Sequence, residues 1–305
     1  MSTVVEHPHG SDRTPAGRSS DRWLHQETWA ASRARIQKEE KQMMAQYFAS
    51  HDFLLQEGAN PAAVRENAAS FVVNQGTGPN VVVDECMKWI EEHAPEGPFH
   101  ITWYSPSALV PATLFEFRQR NPDLSAAASV HLFPGTVDIQ LQAQIGTEAQ
   151  EYAKQLARRQ FSYMILSGHA FDLHTGDVKF HFDREIPIQK ACALLNATEK
   201  FLFLDPKKFA GEGEAAYSLR DLLSTSSAVV IYTVSSPRSK EIKAAFEMLS
   251  AQLLTDDPAD SDSNDLKSLR LVLVGRESVP SESTPHRGFL RRAERNESAT
   301  VPKAR

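Results

Sequence analysis

Residues 164–176 read MILSGHAFDLHTG, and residues 201–209 read FLFLDPKKF. Each segment opens with an apolar run of strand length and continues into a polar loop, and a helical pattern lies between the two segments. In a parallel α/β sheet, the loops at the carboxyl ends of the strands converge on one crevice. These two segments therefore predict half of a small-molecule site.

Apolar runs and helical patterns alternate along most of the chain. The predicted strands lie at 70–73, 100–104, 129–133, 162–166, 201–204, 228–234 and 269–274, and the predicted helices at 80–94, 107–119, 147–159, 185–197 and 238–253. Near-continuous apolar strands such as AVVIY at 228–232 suit a sheet that is covered on both faces. We therefore predict a three-layer α/β fold, with a mostly parallel sheet, helices on both faces and a preceding N-terminal helix.

Composition divides the chain into four predicted segments. Residues 1–20 and 279–305 lack apolar periodicity, so we expect both to be disordered. Residues 21–60 have a helical pattern with one apolar stripe and are predicted to form a helical arm. Residues 61–278 are predicted to form the α/β domain, with a solvated acidic insertion at 255–265.

Overall composition argues against a nucleic-acid-coating, membrane-spanning or exported protein. The chain has 305 residues, 41% of them hydrophobic, and a net charge of -6, which argues against a generally basic surface that coats nucleic acid. Its apolar runs are of strand length and its first twenty residues are polar, so we expect neither a membrane span nor an export signal. The two cysteines, Cys86 and Cys192, are expected to be reduced and buried. A cytoplasmic protein is therefore the expectation.

Several short segments carry a family resemblance. They are EKQMMA at 40–45, NQGTG at 74–78, QAQIGTEA at 142–149, the loop at 167–176 and DPKKF at 205–209. In this order they resemble the C-terminal sensor domain of DeoR-family sugar-responsive transcription regulators. That domain belongs to the larger group that contains ribose-5-phosphate isomerase and glucosamine-6-phosphate deaminase. The resemblance spans residues 39–278 and implies the same α/β fold.

The resemblance is position by position, with matches and departures. The matching positions are Gly76, Thr77, Asp172, Thr175, Gly176, Asp205, Lys208 and Phe209. Asn74 and Gln75 replace an acid and a hydroxyl of the family's loop, and His169 and Ala170 depart from its pattern in the loop at 167–176. Tyr104 stands where the family usually has asparagine, and Gln189 stands where it usually has lysine. The ligand chemistry implied by the resemblance is therefore altered at these positions.

The resemblance also bears on partners. Family regulators carry a winged helix-turn-helix before the linker helix, whereas the 38 residues before Glu39 show no three-helix pattern. We therefore expect contact with DNA only through a partner. Sensor domains of this family commonly self-associate, which favours a homo-oligomer with the helical arm at or near its interface. Alternatively, the apolar stripe of the helical arm packs on the chain's own sheet.

The predicted ligand site combines the strand-end loops with the resemblance. Its residues are Asn74, Gln75, Gly76, Thr77, Gly78, Tyr104, Ser105, His169, Asp172, Lys190, Asp205 and Lys208. The glycines let backbone N–H groups approach an anion at a helix N-terminus, although a tight turn alone would also need them. Asp172 can accept hydrogen bonds from sugar hydroxyls or cap its own loop, and Lys208 can balance a phosphate or lie exposed.

Metal and catalytic chemistry are weaker hypotheses. The histidines and aspartates of residues 169–183 are metal-ligand types, but they show no standard ligand spacing, so no metal and no cofactor are predicted. Asp172 with His169 could serve an isomerase as proton-transfer groups, yet the acid-rich loop and the lysine segment of the related isomerases are not found. No catalytic residue is predicted.

The sequence therefore predicts a ligand-sensing regulatory protein that binds a phosphorylated sugar or a similar metabolite. Two alternatives stay open. One is an enzyme that resembles sugar-phosphate isomerases or deaminases, and the other is a ligand-free interaction scaffold in which the old site is vestigial.

Overall fold

The computed structural model describes residues 38–53, 69–93, 100–255 and 267–275. The helices are α1 Lys38–His51, α2 Thr77–His93, α3 Leu109–Arg120, α4 Thr147–Leu156, α5 Ile186–Ala193, α6 Leu219–Ser224 and α7 Ser239–Thr255. The strands are β1 Ala69–Val73, β2 Ile101–Ser105, β3 Ala128–Leu132, β4 Thr136–Asp138, β5 Ala143–Ile145, β6 Gln160–Ser167, β7 Ala170–Phe171, β8 Asp177–Phe180, β9 Asn196–Phe203, β10 Glu214–Ser218, β11 Ala228–Val234 and β12 Ser268–Val274.

Seven strands form one central sheet in the order β3-β2-β1-β6-β9-β11-β12. Every neighbouring pair in it is parallel. The chain builds outward from β1 to β3, returns to the middle at β6, and then builds outward in the opposite direction. In such doubly wound sheets the loops after the two central strands diverge and leave a crevice between them. That switch point lies between β1 and β6.

The helices form a layer on each face of this sheet, which confirms the predicted three-layer α/β fold. Right-handed crossovers put α2 and α3 on one face, called face one, and put the helices that follow β3 on the opposite face, called face two. The face-one core contains Phe71, Trp103 and Phe201, whereas the face-two core contains Met164 and Leu202. Alternate residues of each strand therefore serve opposite layers.

Helix α1 covers the part of face one that the crossover helices do not reach. Its Phe48 is fully buried, and the Phe48 ring centroid lies 4.8 Å from that of Phe201 and 6.0 Å from that of Tyr232. The Tyr232 hydroxyl also donates a hydrogen bond to Asp52, just after α1. The apolar stripe of α1 is thus covered by the chain's own sheet. The homo-oligomer stays a prediction, because this stripe needs no second copy to cover it.

The predicted segments differ from the structure in a few places. The helix predicted at 185–197 ends at Ala193, because residues from Asn196 onward pair with β6 and extend β9 toward its amino end. The β4–β5 hairpin, the small β10-β8-β7 sheet and α6 were not predicted, since their short runs lack a clear period. Residues 1–37, the acidic insertion beyond 255 and the tail after 275 lie outside the described residues.

Two smaller expectations can be compared with the structure. Cys86 and Cys192 are both buried and neither forms a disulfide, as predicted. Burial raises the pKa of both thiols, so neither is an activated nucleophile. Within the described ranges, every helix is too short or too polar to cross a membrane.

Candidate functional site

The loop between β1 and α2 lies at the switch point of the sheet. Gly76 has a φ of 132°, a conformation that side chains rarely adopt, and it lets the chain turn from the strand into the helix. A Cβ on Gly78 would lie 3.5 Å from Ser167 Oγ, at the carboxyl end of β6. The loop therefore brings the N-terminus of α2 against the neighbouring strand end.

One side of this loop carries two lysines and is called the cationic side. Lys41 Nζ, on α1, donates to Thr77 Oγ1 at 3.0 Å, and Lys208 Nζ donates to Ser167 Oγ at 2.9 Å. These groups surround a narrow crevice. Its non-atom space of about 220 Å³ includes the open solvent at its mouth, and the side chains as they stand leave no room for a water molecule. Its lining residues are Lys41, Met44, Gly78, Val82, Phe203, Asp205 and Lys208. Both ammonium groups thus lie at the positive end of α2.

Asp205 is the acidic residue of the cationic side. It is 1% exposed, and neither of its carboxylate oxygens has a hydrogen-bond partner among the described residues. The Lys208 ammonium lies 3.6 Å from Asp205 Oδ2, which is an ion-pair distance. A buried carboxylate without hydrogen bonds is costly, so this group is available to accept hydrogen bonds from a ligand hydroxyl.

The other side of the loop is rich in amides and is called the amide side: Asn74, Gln75, Glu185 and Gln189. Gln75 Nε2 donates to Glu185 Oε2 at 2.8 Å, and Gln189 follows Glu185 by one turn of α5. Asn74 Oδ1 accepts from the Gln75 backbone N–H at 2.8 Å. All four side chains are buried. His169 borders this side, with its Nδ1 3.3 Å from Glu185 Oε1.

A salt bridge closes the outer surface of the amide side. Arg184 Nε lies 2.8 Å from Asp138 Oδ2 at the tip of the β4–β5 hairpin, and Arg184 Nη2 donates to Gln140 Oε1. Asp138 Oδ1 accepts from the backbone N–H groups of Gln140 and Leu141 and so fixes the hairpin turn. The neighbouring residues Arg184 and Glu185 therefore contact different elements. Arg184 binds the β4–β5 hairpin, and Glu185 binds Gln75 on the amide side.

The structure brings eight of the twelve predicted site residues to the two sides of the loop. They are Asn74, Gln75, Gly76, Thr77, Gly78, His169, Asp205 and Lys208. The other four lie elsewhere. Tyr104 stacks on His131 and accepts a hydrogen bond from Arg159, while Ser105 Oγ donates to Val73 O at 2.7 Å. Both therefore support the sheet instead of the crevice.

Asp172 and Lys190 also lie apart from the crevice. Asp172 accepts from the His174 backbone N–H at 2.9 Å and forms an ion pair with Lys179 at 2.9 Å, so it closes the turn between β7 and β8. The hydrogen bond from Lys179 is the main reason why the pKa of Asp172 is lowered. Lys190 is exposed on α5 beside the buried Gln189. The plain alternative for Asp172, a loop cap, matches its contacts.

Two residues of the candidate site, Lys41 and Glu185, were not predicted from the sequence. Lys41 shares the buried stripe of α1 with Met44, Ala45 and Phe48, and a lysine on an apolar stripe is a signal that sequence reading can use. Glu185 stands just before Ile186-Pro187, and a proline near the first helical position is a sequence signal for a helix start. Glu185 therefore lies at the N-terminus of α5.

The histidine-rich and aspartate-rich stretch at 169–183 does not gather into a metal site. Across the residues that the structure describes, no group of three histidine, cysteine, aspartate or glutamate side chains is placed to hold a metal ion. The His169 ring instead lies beside that of His181, with centroids 4.8 Å apart and the rings tilted by 30°, and the His181 backbone N–H donates to His169 Nδ1 at 3.1 Å.

Comparisons with known proteins add a partial likeness in structure. No family model matches the chain, and no curated protein matches it. Ribose 5-phosphate isomerase A from Neisseria gonorrhoeae matches with 9% identity and a TM-score of 0.31, covering 56% of this chain and 53% of that one. The enzyme from Methanocaldococcus jannaschii matches with 10% identity and a TM-score of 0.31, covering 57% and 55%.

A third solved structure, D-ribose-5-phosphate isomerase in complex with phospho-erythronic acid, matches with 8% identity and a TM-score of 0.32. It covers 55% of this chain and 53% of that one. The chain therefore spans about half the length of the solved structures it matches. At these TM-scores the matches carry no argument, and the fold assignment rests on the strand pairing described above.

Proposed function

We propose that this chain is a ligand-sensing regulatory protein that binds a phosphorylated sugar or a similar anionic metabolite at the switch point of its sheet. The observation that carries the proposal is the cationic side, where Lys41 and Lys208 meet the N-terminus of α2 around a crevice. Two ammonium groups and a helix N-terminus favour an anion in the same small space.

The remaining groups suit a phosphate that is attached to a hydroxyl-bearing carrier. Asp205 is buried beside Lys208, and its carboxylate can accept only hydrogen bonds, which hydroxyl groups supply. Lys41 and Lys208 have long, flexible side chains, so they can move aside in the narrow crevice while they keep their ammonium groups near the anion. A phosphorylated sugar combines both features.

A regulatory role is supported by the resemblance of the loops to DeoR-type sensor domains. Control of transcription would then act through a DNA-binding partner, because the chain itself has a net charge of -6.

Calorimetry with inorganic phosphate and a panel of sugar phosphates tests this function. Wild type should bind at least one of them, and Lys208→Met should weaken binding by about 10- to 100-fold, because a charge-assisted hydrogen bond is lost. Lys207→Met is the matched control, since Lys207 is the exposed neighbour and should retain wild-type affinity. Absence of binding by wild type, or full binding by Lys208→Met, would refute the proposal.

The Glu185–His169 pair is the one observation that favours an isomerase instead. Their separation of 3.3 Å is suitable for proton exchange in a buried place. We expect no turnover of sugar phosphates, because Glu185 Oε2 accepts from Gln75 Nε2 and His169 Nδ1 already accepts from the His181 backbone N–H. Turnover that disappears in Glu185→Gln but persists in Asp172→Asn would replace the sensor with an enzyme.

A further inference from the structure

Several buried amide atoms near the carboxyl ends of the strands have no hydrogen-bond partner within the described part of the chain. Gln189 is 1% exposed, and neither its side-chain nitrogen nor its oxygen is partnered. Gln75 Oε1 and Asn74 Nδ2 are in the same condition. Gln144 Oε1, on β5 near the carboxyl end of β2, is another unpartnered buried atom. The unpartnered atoms thus include both donors and acceptors.

Such atoms are expensive to bury. A buried polar atom without a partner destabilises a protein, and native structures keep few of them. Leucine is apolar and of roughly similar size to glutamine, so it would occupy the position of Gln189 without burying unpartnered polar atoms. Polar groups that reduce stability in this way are typical of functional positions.

The chemistry of the amide side selects a particular class of ligand. An amide offers two donors and an acceptor, so a pair of glutamines can bond to hydroxyl groups in either direction. A second anion is disfavoured here because the Glu185 carboxylate is adjacent to Gln75. An apolar group would leave the amide atoms unpartnered. The matching ligand group is uncharged and rich in hydroxyls.

The amide side is also within reach of the proposed phosphate position. Gln75 faces the amide side through Glu185, and Thr77 faces the cationic side through Lys41. These two residues are separated by one other, so their Cα atoms are at most about 7 Å apart. A molecule as long as a pentose or hexose phosphate can therefore touch both sides of the loop.

We propose that the amide side is the subsite for the hydroxyl-bearing part of a phosphorylated ligand, and that Gln189 is its main specificity-determining residue. The proposal rests on the proposed function, because the phosphate of the same ligand occupies the cationic side. A site built to hydrogen-bond hydroxyl groups discriminates strongly against analogues that lack them. The amide side therefore distinguishes phosphorylated sugars from simple phosphates.

The test compares three probes by calorimetry in a buffer without phosphate: inorganic phosphate, glycerol 3-phosphate and a hexose 6-phosphate. Wild type should bind them with increasing affinity, with a gain of at least about tenfold from inorganic phosphate to the hexose phosphate. Gln189→Leu should leave the affinity for inorganic phosphate within about twofold and reduce the gain to about threefold or less. The exposed helix residue Gln155 gives the matched control, Gln155→Leu, which should retain the full gain.

A second measurement separates a ligand-binding role from a structural one. Without ligand, Gln189→Leu should melt at the wild-type temperature or above it, because the substitution removes two unpartnered buried atoms. A lower melting temperature would show that Gln189 already makes stabilising hydrogen bonds in the free protein, which overturns the proposal.

The binding outcomes distinguish this inference from the proposed function. If wild type binds none of the three probes, the anion site itself fails, and the inference fails with it. If inorganic phosphate binds but the hexose phosphate binds no more tightly, the proposed anion site stands and the amide subsite is refuted. The same conclusion follows if Gln189→Leu retains the full gain.

Discussion

The two faces of the central sheet are covered in different ways. On face two, α5, α6 and α7 each connect one strand to the next, so the covering layer follows from the alternation of strands and helices. On face one, only α2 and α3 do so, and α1 covers the other half although it precedes every strand. Half of face one therefore depends on a helix that the alternation does not provide.

The chemistry of the two faces differs as well. Face one is dominated by aromatic contacts around Phe48, and the lysines at its edge donate hydrogen bonds to hydroxyl groups. Face two buries the ammonium of Lys200, the carboxylate of Glu185 and the unpartnered amide of Gln189. Aromatic contacts therefore dominate face one, whereas face two also buries charged and amide groups.

Phe48→Ala should have the largest effect, a loss of stability through the packing of face one. Phe48 is fully buried among Phe53, Phe201 and Tyr232, and removal of a buried phenylalanine side chain costs about 3–5 kcal/mol of unfolding free energy. Denaturant titration measures the loss. Phe115→Ala, at a position that is 59% exposed, is the control and should change stability by no more than about 0.5 kcal/mol. A loss below about 1 kcal/mol for Phe48→Ala would show that α1 does not hold face one.

Lys200 tests the buried charge of face two. Its Nζ donates to Ala193 O at 2.8 Å and to Thr225 Oγ1, and burial lowers the pKa of Lys200 to about 7, opposed by the charge of Asp221. Between about pH 7 and the ordinary value of 10.5, the unfolded chain holds a proton that the folded chain lacks. The stability of the folded state therefore rises with pH across this window.

The measurement for Lys200 is the difference in unfolding free energy between wild type and Lys200→Met from pH 7 to 10. This difference should grow in favour of wild type by up to about 1.4 kcal/mol per pH unit. Subtraction removes the shared contributions of Cys192 and Tyr217, whose raised pKa values also affect stability at alkaline pH. A difference that is independent of pH would contradict a buried, deprotonating lysine.

Substitution of Asp172 should have the smallest effect on stability, because its charge is partly accessible whereas that of Lys200 is buried. Its pKa is lowered chiefly by the hydrogen bond from Lys179, so its contribution is present at neutral pH and is lost as the pH falls below the ordinary value of 3.8. Because the Asp172 side chain is 26% exposed, Asp172→Asn should cost less than about 1 kcal/mol at pH 7. Denaturation from pH 7 to 3 should show this cost shrinking, and a cost that is constant with pH would exclude the ion pair as its source.

Much of the fold could be predicted because buried parallel strands are apolar without interruption. β11 occupies the residues predicted for it, Ala228–Val234, and every residue in it is buried. β9 was predicted too short, because its first half contains Thr198 and Lys200, whose polar atoms resemble a loop or a helix in sequence. The small β7, with two residues, is below the length at which a period can be read.

The candidate site could be predicted only where it is local in sequence. The glycine loop after β1 was identified from its own residues, but its partners come from far along the chain. Lys41 lies 36 residues from Thr77, and Gln75 lies 110 residues from Glu185. Such pairs are set by the packing of α1 and α5 on opposite faces, which no short motif encodes.

The placement of α1 also has a consequence for biosynthesis. Asp52, at its end, bonds to Tyr232, which is 180 residues later in the chain. At ribosomal rates of 5–20 residues per second, the docking surface of α1 on β11 is completed roughly 10–40 s after the helix itself has been made. During that interval the contacts of Phe48 with Phe201 and Tyr232 are incomplete. Contacts of such long sequence separation form slowly, so we expect the nascent chain to expose an apolar surface that chaperones recognise until its last strands emerge.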